Sequence, residues 1–287
     1  MIKIIVDSGA TKARWLIKRK RGKSQLIETE GINPYFYTEE EAVNMIKNEL
    51  DLNASFLKDY EVEEVIFYGA GCSTEQRCLL MDRILQSVFP RARIIVHHDI
   101  LGAARGILKD KPGYVVIIGT GSNTCYYNGK EIVDRHGGLG YILNDEGSGA
   151  DIGRHLIAAW LDGDMPTELL SAFEEFIGMT EAEVIFKIYQ DKRPGRFLAQ
   201  QTLFVSEHID NPWCTQLVKS RFKALVTKHL KPLIAKVGKE DLIHASGSVV
   251  YHFQDIWKEV LSEEGLKSGE IVVNPLDGLA EFHWGKK

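Results

Sequence analysis

A chain of 287 residues with 44% hydrophobic residues is long for one compact domain and implies two lobes, each able to bury its own core. A charged fraction of 26% and a net charge of −5 provide no basic field for gripping phosphate backbones, so no nucleic acid is expected as a partner. The apolar start Met1-Ile2-Lys3-Ile4-Ile5-Val6 is too short for a secretory signal, and no run approaches the ~20 apolar residues of a membrane span, so no membrane partner and a cytoplasmic location are expected.

In chain order, Ile2 to Val6 is a β-branched strand, Trp15 to Lys18 a second, and Gln25 to Glu28 a third, together an antiparallel meander. The basic run Lys18-Arg19-Lys20-Arg21, followed by Gly22, reads as a solvated hairpin tip. Apolar Ala42, Val43, Ile46 and Leu50 then recur at helical spacing after Thr38, a natural N-cap. Glu64 to Gly69 predicts a buried strand, Thr74 to Phe89 a helix, Arg93 to His97 a strand, and a further helix begins near Asp99. This order implies a mixed sheet with helices on its faces, an α/β fold.

Tyr114 to Ile118 opens a similar series, with returning strands at Thr124 to Tyr127 and Glu131 to Asp134. The two hairpin-bearing halves therefore read as a duplicated architecture. From Asp151 to Val237 the pattern is mainly helical, including one stretch from Asn211 to Val237. Late strands at Asp241 to His244 and Glu270 to Val273 precede the C-terminus.

Three turns that follow strands have the composition of phosphate cradles. In Asp7-Ser8-Gly9-Ala10-Thr11-Lys12, a turn at Gly9 would expose backbone N–H groups, Thr11 and Lys12 could meet phosphate oxygens, and Asp7 could hold Mg²⁺ through water; an ordinary β-turn is the alternative. Gly119-Thr120-Gly121-Ser122-Asn123-Thr124 combines close backbone approach with hydroxyl and amide contacts, and it is not a Walker A loop. Ser246-Gly247-Ser248, at a strand–helix junction, could admit a nucleoside, although Gly-Ser turns are common. Asp99 lies between the first two turns, either as a helix cap or as a general base directing a sugar hydroxyl at the γ-phosphoryl group. The glycine-dense Gly137-Gly138-Leu139-Gly140-Tyr141 with Asn144-Asp145-Glu146-Gly147-Ser148-Gly149-Ala150-Asp151 suggests a loop around a polyhydroxylated ligand, its adjacent carboxylates Asp145 and Glu146 accepting hydroxyls; a flexible loop followed by an N-capped helix is the alternative.

These motifs, above all IIGTGSNT and GGLGYILNDEGSGADIG, resemble the actin-like (sugar kinase/Hsp70) superfamily, and within it the N-acetylglucosamine kinase / BadF-BadG-BcrA-BcrD ATPase family. The resemblance implies a two-lobed actin-like ATPase fold of duplicated ribonuclease H-like mixed sheets with a cleft between the lobes. It divides the chain into an N-terminal lobe over 1–116 and a C-terminal lobe over 117–287, with a last helix at about 275–287 packing back on the first. It further implies an ATP- and Mg²⁺-dependent sugar kinase acting on the 6-hydroxyl of an N-acetylhexosamine, most simply N-acetylglucosamine. A kinase for another amino or cell-wall sugar, or a BadF-type ATPase acting through a partner protein, are the alternatives. A homodimer is compatible with the family.

By the same resemblance, Asp7, Gly9 and Thr11 match the first phosphate motif, Gly119, Thr120, Gly121 and Ser122 the second, and Gly247 with Ser248 the adenosine motif. Asp99 matches the catalytic base and also touches the sugar; Asn33, Asn123, Gly138 and Asp145 match the sugar-binding positions. The first loop of such kinases commonly reads DGGGT, so Ser8 and Ala10, which restrict positive φ, are expected to alter the phosphate grip. Asp277 is out of place in a closing helix of small residues. Related ATPases carry a bridging iron–sulfur cluster, but Cys72, Cys78, Cys125 and Cys214 show no CxxC pair and no cluster-type loop, which disfavours that branch and points to reduced thiols.

Overall fold

The computed structural model describes residues 2–20, 23–59 and 61–285. Its contacts divide the chain into two units, Met1–Lys111 with Asn274–Lys287, and Pro112–Val273.

In the first unit, β1 (Ile2–Ser8) pairs antiparallel with β2 (Lys12–Arg19), and β2 with β3 (Gln25–Glu30). The expected meander forms because the β-branched and aromatic residues of β1 and β2 alternate between two buried faces. On one face Ile4, Val6, Trp15 and Ile17 share a core with Ile46, Met81 and Leu85; on the other, Ile5 packs with Ile66 and Tyr68. β4 (Val62–Gly69) lies parallel beside β1, and β5 (Arg93–His98) beside β4, in the order β3-β2-β1-β4-β5. The helices are α1 (Glu39–Asn53), α2 (Glu75–Val88) and α3 (Asp99–Leu108). Thr38 starts α1 in a capping box with Glu41, and Thr74 caps α2. Arg21 and Gly22 of the expected hairpin tip lie outside the described residues. Lys18 and Arg19 are not simply solvated: they lie over the rings of Trp284 and Phe56, at 5.1 and 4.4 Å from the centroids.

The second unit repeats the plan. β6 (Pro112–Ile118), β7 (Ser122–Asn128) and β8 (Ile132–Gly137) form the meander, while β9 (Ile243–Ser246) lies parallel to β6 and β10 (Ser268–Val272) parallel to β9. Read from the meander, the order β8-β7-β6-β9-β10 matches that of the first sheet, so the duplicated mixed-sheet fold is borne out. Its helices are α4 (Gly149–Leu161), α5 (Thr167–Ile177), α6 (Glu181–Gln190), α7 (Pro194–Gln200), α8 (Thr202–Glu207), α9 (Pro212–Leu225), α10 (Lys231–Val237), α11 (Ser248–His252) and α12 (Gln254–Glu263). The single helix expected from Asn211 to Val237 is interrupted by a π-turn at Val226–Leu230. Pro232 explains the interruption, since its missing N–H and its ring cannot continue the ladder to Lys228.

A lobe boundary at 116/117 would cut β6 in two. The division falls instead at 111/112, because Tyr114 to Ile117 pair with β9 and hold the whole strand in the second sheet. The last helix, α13 (Leu276–Trp284), belongs to the first unit, where Leu276 and Leu279 complete the cluster around Ile5. Asp277 stands in its first turn, where the helix dipole favours a carboxylate. Among the described residues no helix is long and apolar enough to cross a membrane.

Candidate functional site

In the first unit the parallel strands β1, β4 and β5 end side by side, with Ser8 in register with Gly69 and Gly69 with His98. Ligands of open α/β sheets gather at such a carboxyl edge. Asp7 stands there, paired across β1 and β2 with Arg14. Burial pushes its carboxyl up to about 7; the Arg14 guanidinium opposes the rise and the Asp99 carboxylate adds to it. Asp99 is the first residue of α3, not its cap: His98 holds the cap position, and its side chain makes no capping hydrogen bond to the helix. Asp99 Oδ1 accepts from the Ile100 amide at 2.7 Å and lies 3.0 Å from His98 Nε2.

The first turn is closed by its own backbone. The Gly9 amide donates to the Lys12 carbonyl at 2.9 Å, so this N–H is not exposed for phosphate as the turn alone suggested. Ser8 is fully buried, and its hydroxyl accepts from the Ile32 amide at 2.9 Å and donates to the Ile32 carbonyl at 3.1 Å. The Gly31 amide donates to the Thr11 carbonyl at 3.0 Å, and a Cβ on Gly31 would stand 2.5 Å from the Gly9 carbonyl oxygen. The segment carrying Asn33 is thereby laid directly on the first turn. Asn33 is buried, its Oδ1 accepting from the Tyr35 amide at 3.0 Å. Among the described residues only Lys109 and Asp145 combine a side chain with positive φ, so Ser8 and Ala10 sit without strain. The expected conformational penalty of the two missing glycines is absent. Lys12 is exposed, with its ammonium 3.3 Å from Glu28 Oε2.

In the second unit β6 and β9 end together, bringing the other two turns into contact. The Gly119 amide donates to the Gly121 carbonyl at 2.9 Å, and the carbonyls of Gly119 and Thr120 accept from Gly149 and Ala150 at the start of α4. Gly247 holds φ +130°, and a Cβ there would overlap the Ile118 carbonyl oxygen, so only glycine fits between the strands. Ser248, which opens α11, is exposed.

Asn123, Gly138 and Asp145 converge beside the second turn. Asn123 is buried and its Oδ1 has no hydrogen-bond partner among the described residues; its Nδ2 would lie 2.7 Å from a Cβ on Gly138. Asp145 is buried at φ +70°, with Oδ2 2.8 Å from where a Gly121 Cβ would stand. Burial pushes its carboxyl up to about 6; hydrogen bonds from the Ser122 and Gly140 amides oppose this, and Glu146 and Asp151 add to it. The Ser122 hydroxyl donates to the Glu146 carbonyl at 2.9 Å, which makes it a strut of the loop.

Glu146 does not join Asp145 as an open acceptor for hydroxyls. Its Oε1 lies 2.7 Å from Lys228 Nζ and its Oε2 2.5 Å from His229 Nε2. Burial disfavours its ionisation, but the hydrogen bonds from His229 and Lys228 outweigh this and bring it down to about 2. Asp151 is a second committed carboxylate, gripped by Arg221, Arg154 and the Gly147 amide and held well below the usual range by His155 and Arg221 despite burial. His136, Lys228, His229 and Arg221 escaped the sequence reading, and Asp151 stood in the quoted loop motif without a role. The one available signal was Pro232 inside a helical run, since π-turns favour functional sites.

No family model matches the chain. It is 36% identical to a solved Porphyromonas gingivalis protein provisionally assigned as an N-acetylglucosamine kinase, with 98% of each chain covered and a TM-score of 0.89. A ROK family glucokinase from Streptomyces griseus, solved with glucose and AMPPNP, shares the fold at 15% identity, a TM-score of 0.66 and 98% coverage of each chain. The N-acetylmuramic acid/N-acetylglucosamine kinase of Clostridium acetobutylicum is 31% identical over 160 residues, 54% of this chain, and the match spans 52% of that relative's length.

Proposed function

We propose that this chain, which belongs to the N-acetylglucosamine kinase family, transfers the γ-phosphoryl group of ATP to the 6-hydroxyl of N-acetylglucosamine in the cytoplasm. The observation that carries this reading is the pair Asp7 and Asp99 at the carboxyl ends of the parallel strands β1 and β5, two carboxylates close enough for Asp99 to raise the pKa of Asp7. Phosphoryl transfer needs positioning, charge neutralisation and one group to take the hydroxyl proton.

Asp99 is the proton acceptor. With Oδ1 held by the Ile100 amide and beside His98, Oδ2 takes the proton of the attacking hydroxyl. Asp7 fits a divalent cation, because a carboxyl crowded by burial and a like charge is short of positive charge. It would hold Mg²⁺ through water, and the bound cation would neutralise phosphate oxygens. Within the first unit Thr11 and Lys12 offer a hydroxyl and an ammonium to phosphate oxygens, and within the second the turn of Gly119, Thr120, Gly121 and Ser122 has the composition of a phosphate cradle. Gly247 and Ser248 border the nucleoside.

In the second unit the sugar is read by Asn123, Gly138 and Asp145; in the first, Asn33 is the residue suited to a sugar contact. The unpartnered Oδ1 of Asn123 suits an N–H or O–H donor of the sugar, whose arrival satisfies a buried acceptor. Asp145 accepts sugar hydroxyls. N-acetylmuramic acid is a second reading, favoured by the name of the Clostridium relative.

An ATP-consumption assay with Mg²⁺ over N-acetylglucosamine, N-acetylmuramic acid, glucosamine and glucose tests the proposal. Turnover is expected to be highest with N-acetylglucosamine, and NMR of the product locates the phosphate on the 6-oxygen. ATP hydrolysis that no sugar stimulates would overturn it in favour of an ATPase acting through a partner protein.

A further inference from the structure

The interrupted helix places a buried histidine behind the loop that runs from Gly138 to Asp145. The π-turn at Val226–Leu230 turns His229 inward, to 4% exposure, between two different segments of the loop's support. Its Nε2 lies 2.5 Å from Glu146 Oε2, one residue beyond Asp145, and its Nδ1 lies 2.9 Å from Nδ1 of His136, two residues before Gly138.

The hydrogens of this chain follow from its partners. The Glu146 carboxylate only accepts, so His229 Nε2 carries a proton. The two Nδ1 atoms face each other, so one and only one of them carries the hydrogen between the rings. Both ends of the loop are thus referred to one ring. The need for such a brace is local. Asp145 holds φ +70°, a left-handed backbone that a residue with a side chain adopts only at a cost. Its carboxylate is buried beside Gly121, and the next carbonyl, that of Glu146, receives the Ser122 hydroxyl. At the other end, the His136 carbonyl accepts from Thr124 Oγ1 at 2.5 Å, and Asn123 is in register with Gly137.

We propose that His229 is a positioning residue: through Glu146 it holds Asp145 in its left-handed conformation with the carboxylate presented to the sugar, and through His136 it braces the Gly137–Gly138 end of the same loop. This rests on the sugar-binding role given to Asp145 above. His229 touches no substrate. Its effect falls on sugar recognition rather than on phosphoryl transfer, and His136, exposed to solvent, contributes less because water can replace it at Nδ1.

Steady-state kinetics with N-acetylglucosamine and ATP varied separately tests this on wild type, His229→Leu, His136→Leu and His136→Asn. His229→Leu is expected to raise the sugar KM about 10- to 100-fold, the loss of a hydrogen bond to a charged group, while the ATP KM and kcat stay close to wild type. His136→Leu should give a smaller rise, and His136→Asn, which keeps a polar atom near Nδ1, should restore most of it. In wild-type protein, ¹⁵N NMR of the two rings is expected to show one protonated and one unprotonated Nδ1; this readout stands even where a variant does not fold. Active wild type with an unchanged sugar KM in a folded His229→Leu variant overturns the clamp, as do two rings that both carry their hydrogen on Nε2 alone. Wild type that turns over no sugar instead sinks the kinase reading, with the NMR result still deciding whether the histidine pair exists.

Discussion

Ser8 and Ile32 are joined by two hydrogen bonds through one buried hydroxyl, which accepts from the Ile32 amide at 2.9 Å and donates to its carbonyl at 3.1 Å. This ties the first turn to the segment that carries Asn33. A residue that looked like a loss of glycine from a phosphate loop is therefore a fastener between the phosphate and sugar parts of the first unit.

Ser8→Ala should leave both Ile32 groups unpaired in a buried place. We expect a stability loss of about 1–3 kcal/mol by urea denaturation and a higher sugar KM, because Asn33 follows Ile32 directly. Ser8→Gly, which restores the commoner loop sequence, should be no better. A Ser8→Gly variant as stable as wild type would show the fastener to be unimportant.

Asp99→Asn keeps the shape of the side chain and removes its basicity. kcat is expected to fall about 10²- to 10⁴-fold, the usual worth of a positioned general base, while the sugar Kd measured by calorimetry stays within a few-fold. Full turnover by the folded variant excludes Asp99 as the proton acceptor.

Asp7 gives a pH signature that depends on cation. Its carboxyl ionises only as pH rises through about 7, and the ionised form is the one that holds Mg²⁺. At limiting Mg²⁺ activity should rise through that pH, and saturating Mg²⁺ should move the rise to lower pH. The same shift has a cost in stability. Without cation the folded chain must ionise at about 7 a carboxyl whose ordinary value is 3.8, so its contribution is lost as pH rises through 7. Asp7→Asn should therefore be more stable than wild type at pH 8 by about 1–4 kcal/mol, with the difference closing below pH 4. Melting temperatures at the two pH values provide the check.

Asn123 separates binding from folding. Its Oδ1 is buried without a partner among the described residues, so the free protein already bears that desolvation. Asn123→Ala should leave Tm little changed while the sugar KM rises about 10-fold or more, the value of a hydrogen bond left unmade in a site. A large drop in Tm with normal sugar affinity would assign Asn123 to the core instead.

Much of this molecule was legible along the chain. Apolar strands ending in glycine turns marked Asp7 to Lys12, Gly119 to Asn123 and Ser246 to Ser248, because the period of a strand and the chemistry of a turn are local properties. The resemblance carried by IIGTGSNT and by the GGLG and DEGSG stretches anticipated the duplicated sheets, and it singled out Asn123, Gly138 and Asp145, which do converge.

Pairings between distant segments were decided by tertiary structure. The Ser8 hydroxyl meets Ile32, 24 residues on, through a loop with no regular period. Glu146, read as an acceptor for hydroxyls beside Asp145, is taken by Lys228 and His229, more than 80 residues away. β6 belongs whole to the second sheet because β9, from the far end of the chain, pairs with it. The sequence by itself thus determined where strands stop, where backbone can approach a ligand and which carboxylates are available. Only the folded chain decided which carboxylates stay open and which become struts, since that depends on what burial brings beside them.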